Sequence, residues 1–308
     1  MDEITVTVVC MAYNHADYIR DALEGFVAQR TGFPFEVIVH DDASTDGTAD
    51  IIREYAGRFP DIIRPVFQKE NQYSKGIPVT RDSIFPMIRG RYVALCEGDD
   101  WWTDPSKLRK QVEALDNHPD ADICTHRATR RRKGRFDGWV APAWRDCVIP
   151  VEKVILGGGA HFCATSSYLC RREAYLEWTP MREVRMNDYA LAIQASLRGG
   201  MVYLNEPMSV YRKGVKGSWT SLNRGNKKIA NKEVIIRMLS ALDGYTDGKY
   251  HDIIVLRQKM FRSDILMIRR DYPRLFSPKR LGINLFRMRS AIGRTIRKWT
   301  PILIKRKS

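Results

Sequence analysis

The chain has 308 residues, 44% of them hydrophobic, six cysteines and a formal charge of +15. Length and apolar content suit one large domain or a domain with appendages. No apolar run reaches the roughly 18 to 20 residues of a membrane span, and the acidic start Met1-Asp2-Glu3-Ile4-Thr5 is not a secretory leader.

Ile4 to Met11 reads as a first strand, rich in β-branched residues. It ends at Ala12-Tyr13-Asn14, which puts Tyr13 at a strand's carboxyl end. A helix is expected from Asp17 to Gln29, with Ile19, Leu23, Phe26 and Val27 on one face. Phe35 to His40 is a second strand. It delivers Asp41-Asp42 into Ala43-Ser44-Thr45-Asp46-Gly47-Thr48, a loop of turn and cap formers. Ala49 to Phe59 continues as a helix and Ile62 to Phe67 as a third strand. A polar loop follows from Lys69 to Pro78. Val79 to Arg89 has a helical pattern weakened at Pro86.

Tyr92-Val93-Ala94-Leu95-Cys96 then runs straight into Glu97-Gly98-Asp99-Asp100-Trp101-Trp102. Such a run reads as a strand buried on both faces of a parallel sheet. Gly98 turns the chain at the strand's carboxyl end, where open α/β sheets place their ligands. Two adjacent carboxylates repel, and a divalent cation relieves that repulsion. Mg²⁺ or Mn²⁺ takes one or two carboxylates plus phosphate oxygens. The pattern therefore points to a nucleotide-diphosphate site with a bridging metal, the bland alternative being a solvated turn before a helix. Pro105 to Asn117 is a helix and Ala121 to His126 a strand. Strand and helix alternate to this point, which predicts an α/β chain: a Rossmann-like, mainly parallel sheet flanked by helices.

Arg127 to Trp144 breaks the alternation, with Arg130-Arg131-Arg132-Lys133-Gly134-Arg135 read as a basic loop or hairpin tip and a solvated turn. Gly157-Gly158-Gly159 reads as a joint before a strand from His161 to Cys170. Met186-Asn187-Asp188-Tyr189 opens a helix, with Asn187 or Asp188 available as its N-cap. Met201 to Leu204 and Met208 to Arg212 read as two short strands around Asn205-Glu206-Pro207. Asn226 to Leu242 and Tyr250 to Arg270 form a helical appendage. The expected organisation is 1–222, 223–278 and a tail, 279–308. The six cysteines lack paired metal spacing and read as reduced core residues of a cytosolic protein.

The charge is uneven. The tail holds ten Lys or Arg and no acid, leaving +5 for everything before it. This argues against a nucleic-acid-binding protein, for which +15 is the only support. Leu281, Leu285, Met288, Ile292, Ile296, Trp299 and Leu303 recur every three or four residues, so the tail reads as an interfacial helix. The expected partner is an anionic membrane surface, and the expected location is cytoplasmic, at the inner face of the cytoplasmic membrane.

With these residues placed, the stretch from about Val6 to Trp219 resembles the glycosyltransferase 2 family, with its A-type nucleotide-sugar fold. Val9-Cys10-Met11-Ala12-Tyr13-Asn14 looks like the family's first strand and aromatic base-binding turn. His40 to Thr48 looks like its acidic strand-end motif, and Glu97-Gly98-Asp99-Asp100 like its metal motif. Asn187-Asp188-Tyr189 with Tyr211-Arg212 looks like its acceptor-side block. The chain departs from the family where Asn187 stands in place of an acid before Asp188. The Gln-any-any-Arg-Trp motif of processive synthases is absent after Asp188, which favours transfer of single sugars.

The resemblance implies a role for each residue. Tyr13, flanked by Ala12 and Asn14, would stack on the base. Asp42 would accept the N3–H of uracil, since a carboxylate accepts and cannot donate; the same logic allows thymine or guanine. Arg81 would reach the base or a phosphate. Glu97 and Asp99 would line the donor site, Asp99 toward the ribose or the metal's waters. Asp100 would ligate Mn²⁺ or Mg²⁺. Asp188 would be the general base for an acceptor hydroxyl. The implied activity is inverting, metal-dependent transfer from a nucleotide sugar, UDP-linked, to a glycan or lipid-linked acceptor in cell-surface polysaccharide synthesis. The alternatives are a catalytically inactive sugar-binding relative and a sugar nucleotidyltransferase. The latter needs a glycine-rich basic triphosphate loop that Ala12 to Tyr18 does not supply.

Overall fold

The structure is a computed structural model that describes residues 3–77, 79–158, 162–184, 187–215, 218 and 223–271. Trp219 and the amphipathic tail lie outside the described residues. Those of Met1–Trp178 and Met186–Thr220 group into one unit, those of Thr179–Arg185 and Ser221–Ser308 into a second.

Strand β1 (Val6–Ala12) is the hub of the first unit. It pairs in parallel with β2 (Phe35–Asp41) on one side and β4 (Tyr92–Leu95) on the other, and β3 (Ile63–Phe67) continues the parallel run beyond β2. Neighbours on both edges and helices on the faces explain why β1 is apolar almost throughout. Helices α1 (Ile19–Val27), α2 (Thr48–Arg58) and α3 (Lys107–Asp116) send Leu23, Phe26, Ile52 and Leu108 into the core around Val8 and Cys10.

Beyond β4 the sheet becomes mixed. Its order is β3-β2-β1-β4-β9-β6-β10-β5, where β5 is Trp101–Trp102, β6 Ile123–Arg132, β9 Leu169–Arg171 and β10 Met201–Lys213. The hairpin partner β7 (Arg135–Val140) extends β6, and β8 (Cys147–Ile149) pairs with β10. Short helices α4 (Val151–Gly157), α5 (Arg172–Leu176) and α7 (Asp188–Gln194) complete this unit. The second contains α6 (Pro180–Val184), α8 (Gly225–Tyr245) and α9 (His251–Ile268). There Lys232 Nζ meets Asp264 at 2.7 Å, and Gln258 Nε2 donates to Ile236 O at 3.0 Å. The architecture is the expected α/β sheet flanked by helices, with helices at its C-terminal end.

Several elements differ from expectation, among them β6, which runs on from the expected strand to Arg132. The two short strands around Pro207 are one strand, β10, with register shifts on either side of Pro207 where the ladder to β6 slips. Proline has no N–H to give the ladder, and a bulge absorbs it. The strand expected from His161 to Cys170 is only β9; His161 is outside the described residues. Thr165–Ser167 is a 3₁₀ turn instead, closed by the Ser167 hydroxyl donating to Ala164 O at 2.6 Å. Such local hydroxyl bonds compete with a ladder. The segment from Val79 forms a π turn over Thr80–Ile84 and a 3₁₀ turn at Phe85–Met87, around Pro86. All six cysteines are free thiols, five of them buried. Among the described residues, no helix is long and apolar enough to cross a membrane.

A buried carboxylate fastens the far end of this sheet. Glu36 is fully enclosed and accepts from Thr7 Oγ1 at 2.8 Å, Arg64 at 2.7 Å and Arg89 Nε at 2.9 Å. Burial alone would raise its pKa, but the hydrogen bonds from Arg89, Arg64 and Thr7 outweigh it and hold the carboxyl below its usual value. Its stabilisation is therefore present above the unfolded glutamate pKa of about 4.3 and lost as pH falls through the lower folded value. Glu36→Gln is expected to cost about 2 kcal/mol at pH 7. The difference from the parent should shrink in urea melts below about pH 4. An undiminished difference at low pH would contradict the assignment.

Candidate active site

The turn Glu97-Gly98-Asp99-Asp100 joins β4 to β5 and is held at several points. Gly98 N–H donates to Met11 O and Asp100 N–H to Glu97 O, both at 3.0 Å. A Cβ at Gly98 would stand 2.7 Å from Ile19 Cδ1, 2.9 Å from His15 Nδ1 and 3.2 Å from Ala12 Cβ, so a larger residue there would have to displace those side chains. After the turn, Trp102 points into the core. Its Nε1 donates to Ser166 O at 2.9 Å, and its ring meets Phe26 edge-on at 4.8 Å. Lys107 Nζ sits 4.0 Å from the same ring, and burial lowers that ammonium to about 7.

Arg212, on β10, closes the other side. Its backbone N–H donates to Asp100 Oδ1 at 2.8 Å, and its guanidinium donates to Asp99 O at 2.8 Å and pairs with Asp21. The guanidinium lies 3.9 Å from the Trp101 ring centroid and 5.1 Å from that of Tyr18. One residue thus clamps the acidic turn through backbone, side chain and ring contact.

The site carries more buried negative charge than its partners neutralise. Asp99 and Asp100 are 7% and 3% exposed. Burial raises the Asp99 carboxyl against the opposing pull of His15 and Arg212. Burial, then the Asp99 charge, pushes Asp100 well above the usual range. Glu97 has an exposed side chain, but the protein around it still desolvates its carboxyl. That desolvation, then the charges of Asp99 and Asp188, raises its pKa. Among the described residues no three His, Cys, Asp or Glu side chains form a closed metal cage. An oxygen-only, two-carboxylate turn with excess negative charge fits a hard divalent cation that completes its shell with phosphate oxygens and water.

The ends of β1 and β2 form the adjoining wall. Ala12 closes β1, and its carbonyl accepts from Asp42 N at 3.0 Å. Tyr13 is 45% exposed, and Asn14 follows in the left-handed region at φ +54°. Asn14 Oδ1 accepts from Thr45 N at 2.9 Å, while Asn14 N donates to Ser44 Oγ at 2.8 Å, so the two strand-end loops are laced together. The buried Asp42 accepts from Gln72 N at 2.8 Å and Tyr73 N at 3.0 Å, one on each oxygen. It thereby anchors the 71–75 loop and retains a second lone pair on each oxygen. Arg81 pairs with Asp82 at 2.7 Å and stands 5.0 Å over the Trp178 ring.

Asn187 is the N-cap of α7: its Oδ1 accepts from Ala190 N at 2.8 Å. Capping therefore falls to Asn187, and Asp188 is the first helical residue. Its Oδ1 accepts from Tyr189 N at 2.9 Å, and its charge bears on Glu97. Tyr189 is buried and fixes the start of the helix by donating to Ile155 O.

The structure thus brings Glu97, Asp99, Asp100 and Asp188 into one electrostatic group and sets Ala12, Tyr13, Asn14 and Asp42 at the neighbouring strand ends. Two groups escaped sequence reasoning. Asp41 is 2% exposed and accepts from Ser44 N at 3.1 Å through Oδ2, while its Oδ1 and the His15 Nδ1 are buried and unpartnered among the described residues. Burial lowers the His15 pKa against the pull of Asp99, Asp46 and Asp41. The only sequence signal for either was proximity to Tyr13-Asn14 and to Asp42.

Comparison with known proteins bears on the fold and the family. An uncharacterized protein of Mycobacterium tuberculosis is 39% identical over 225 residues, which are 72% of this chain and 63% of that protein. The chain therefore spans less than two thirds of that relative. S. aureus TarS, residues 1–349, in complex with UDP-GlcNAc superposes with a TM-score of 0.61 at 15% identity, over 86% of this chain and 81% of that one. The mannosyltransferase PcManGT of Pyrobaculum calidifontis, in complex with GDP-Man and Mn²⁺, gives 0.55 at 18% identity, over 97% and 84%. Those two likenesses establish the fold. The family model described as "Glycosyl transferase family 2" matches residues 7–178, more than half of the sequence, and the chain belongs to that family.

Proposed function

We propose that this chain is an inverting, metal-dependent glycosyltransferase that moves a sugar from a UDP-sugar to a hydroxyl of a glycan or lipid-linked acceptor in cell-surface polysaccharide synthesis. The observation that carries the reading is the turn with buried Asp99 and Asp100 bonded through Gly98 N–H to Met11 O at the end of β1, where Tyr13 is exposed. In this reading the Tyr13 ring is the platform for the base, and Asp42 accepts the uracil N3–H on a remaining lone pair. Arg81 turns from Asp82 toward a phosphate. Asp100, with Asp99 beside it, would hold a divalent cation, which would supply neutralisation of charge on the diphosphate. Asp188 takes the proton of the acceptor hydroxyl as its oxygen bonds to the anomeric carbon and the diphosphate leaves from the opposite face. One such displacement inverts the centre. The tail, 279–308, would hold the protein at an anionic membrane where lipid-linked acceptors reside.

Ligand-induced stabilisation tests this reading. UDP with Mn²⁺ is expected to raise the melting temperature more than UDP alone, and more than GDP with Mn²⁺. A ligand at a hundredfold excess over its Kd adds about 2.7 kcal/mol to apparent stability. A melting temperature indifferent to every nucleoside diphosphate, with and without the metal, would overturn the proposal.

A further inference from the structure

The basic stretch that the sequence presents as a solvated tip is a built ribbon. Residues 127–145 hold seven Lys or Arg and a single acid, Asp137, which pairs with Arg130 at 2.8 Å. Arg130 to Arg132 are strand residues of β6, and the turn is only Lys133-Gly134, with φ +49° and +73°. Two consecutive left-handed residues make the hairpin turn whose first position favours Asn, Asp or Gly. This chain puts a lysine there at some cost in backbone strain.

Register compounds the cost. Arg131 lies opposite Arg212 and Arg132 opposite Lys213 on β10, while Arg132 faces Arg135 across the hairpin. Like charges directly opposite one another destabilise a sheet. Arg131, Arg132, Lys133 and Arg135 are all exposed, and Phe136 beside them is 50% exposed with its ring 5.1 Å from that of Trp139. Arg131 stands 5.8 Å from the Trp101 ring that Arg212 also covers, and Trp101 follows Asp100 directly. A ladder of cations therefore begins beside the acidic turn with Arg212, which is paired with Asp21, and runs outward along β6 and β10 through Arg131, Arg132, Lys133 and Arg135 to an aromatic-edged tip.

We propose that this β6–β7 ribbon is the docking site for a phosphate-bearing acceptor, binding its phosphate or diphosphate groups so that a hydroxyl reaches Asp188. The inference rests on the glycosyltransferase reading and adds the chemical class of the acceptor. Guanidinium groups in a row match phosphate oxygens, and an anion lying between the paired cations removes the repulsion the empty ribbon bears. Phe136 suits the apolar part of such a molecule.

The test uses the full chain with UDP and Mn²⁺ present. The probes are farnesyl diphosphate, a water-soluble glycerol-phosphate oligomer, an uncharged oligosaccharide and duplex DNA, each followed by calorimetry. The variants are Lys133→Asn alone and Arg132→Gln/Lys133→Asn/Arg135→Gln together. Binding of either phosphate probe should weaken about tenfold or more in the triple variant and fall with added salt, as each lost phosphate contact predicts. UDP affinity should stay unchanged. Lys133→Asn suits the left-handed turn, so its melting temperature should hold or rise while binding falls, which separates a docking role from a folding role. Preference for farnesyl diphosphate identifies a lipid-linked source and preference for the oligomer a polyol-phosphate source, and either supports the proposal. Undiminished phosphate binding by the triple variant, no binding of either phosphate probe, or tighter binding to DNA than to both overturns it. If UDP itself fails to bind, the glycosyltransferase reading has failed, and that result is separate from these.

Discussion

Asp188→Asn is expected to lower kcat by about 100- to 10,000-fold, the usual contribution of a positioned general base. The substitution is nearly isosteric. Asn187 remains the N-cap of α7 through its bond to Ala190 N, so the helix start should not move. An asparagine oxygen can still accept from Tyr189 N, as Asp188 Oδ1 does at 2.9 Å. What is lost is a group able to take a proton from the acceptor. The affinity for UDP should therefore stay within a few fold, and the loss should appear in kcat more than in KM. Calorimetric titration of UDP alongside steady-state rates separates the cases. Abolished UDP binding with normal turnover would move Asp188 from the acceptor side to the donor site.

Asp100→Asn should remove activity through a different term. Its amide oxygen can keep the 2.8 Å bond from Arg212 N–H, so the turn retains its anchor. An amide is never charged, whereas the carboxyl must either bear its charge in a buried site or take up a proton to avoid it, since burial, then Asp99, pushes it well above its usual range. The expected result is a melting temperature equal to the parent's or higher by about 2–4 °C, as a gain of 1 kcal/mol implies for a protein of this size. Activity at saturating Mn²⁺ should fall by about 100-fold or more, and the Mn²⁺-dependent part of UDP stabilisation should vanish. Retained activity that also resists EDTA would end the metal-dependent mechanism. A large drop in melting temperature would make Asp100 a structural residue.

The N-terminal half was legible because its signals are local. β1, β2 and β4 carry apolar runs that end in Tyr13, Asp42 and Asp99-Asp100, and a buried parallel strand leaves that trace without tertiary knowledge. The continuity of β10 was hidden by Asn205-Glu206-Pro207, turn formers by composition that the sheet accommodates through register shifts. Trp101-Trp102 gave no strand signal, because two residues have no period; β5 exists only because β10 offers an edge to Ser209 and Val210. The clamp by Arg212 depends on that same long-range pairing. Asp41 and His15 were obscured by their neighbours Asp42 and Tyr13; what marks them is a buried atom without a partner among the described residues, Asp41 Oδ1 and His15 Nδ1.

The anchoring of Asp100 by a main-chain donor has a consequence for how this site tolerates change. Because the bond comes from the Arg212 N–H, any residue but proline at position 212 can still make it, although the guanidinium's bond to Asp99 O and its cover of Trp101 are lost with the side chain. Insertions and deletions behave differently. Strand side chains alternate with a period of two, so the number of residues between Leu204 and Ser209 fixes which face position 212 presents. Losing one residue from that bulge would turn the Arg212 amide and guanidinium away together. A segment that looks like a dispensable loop thus cannot lose a single residue without reversing position 212.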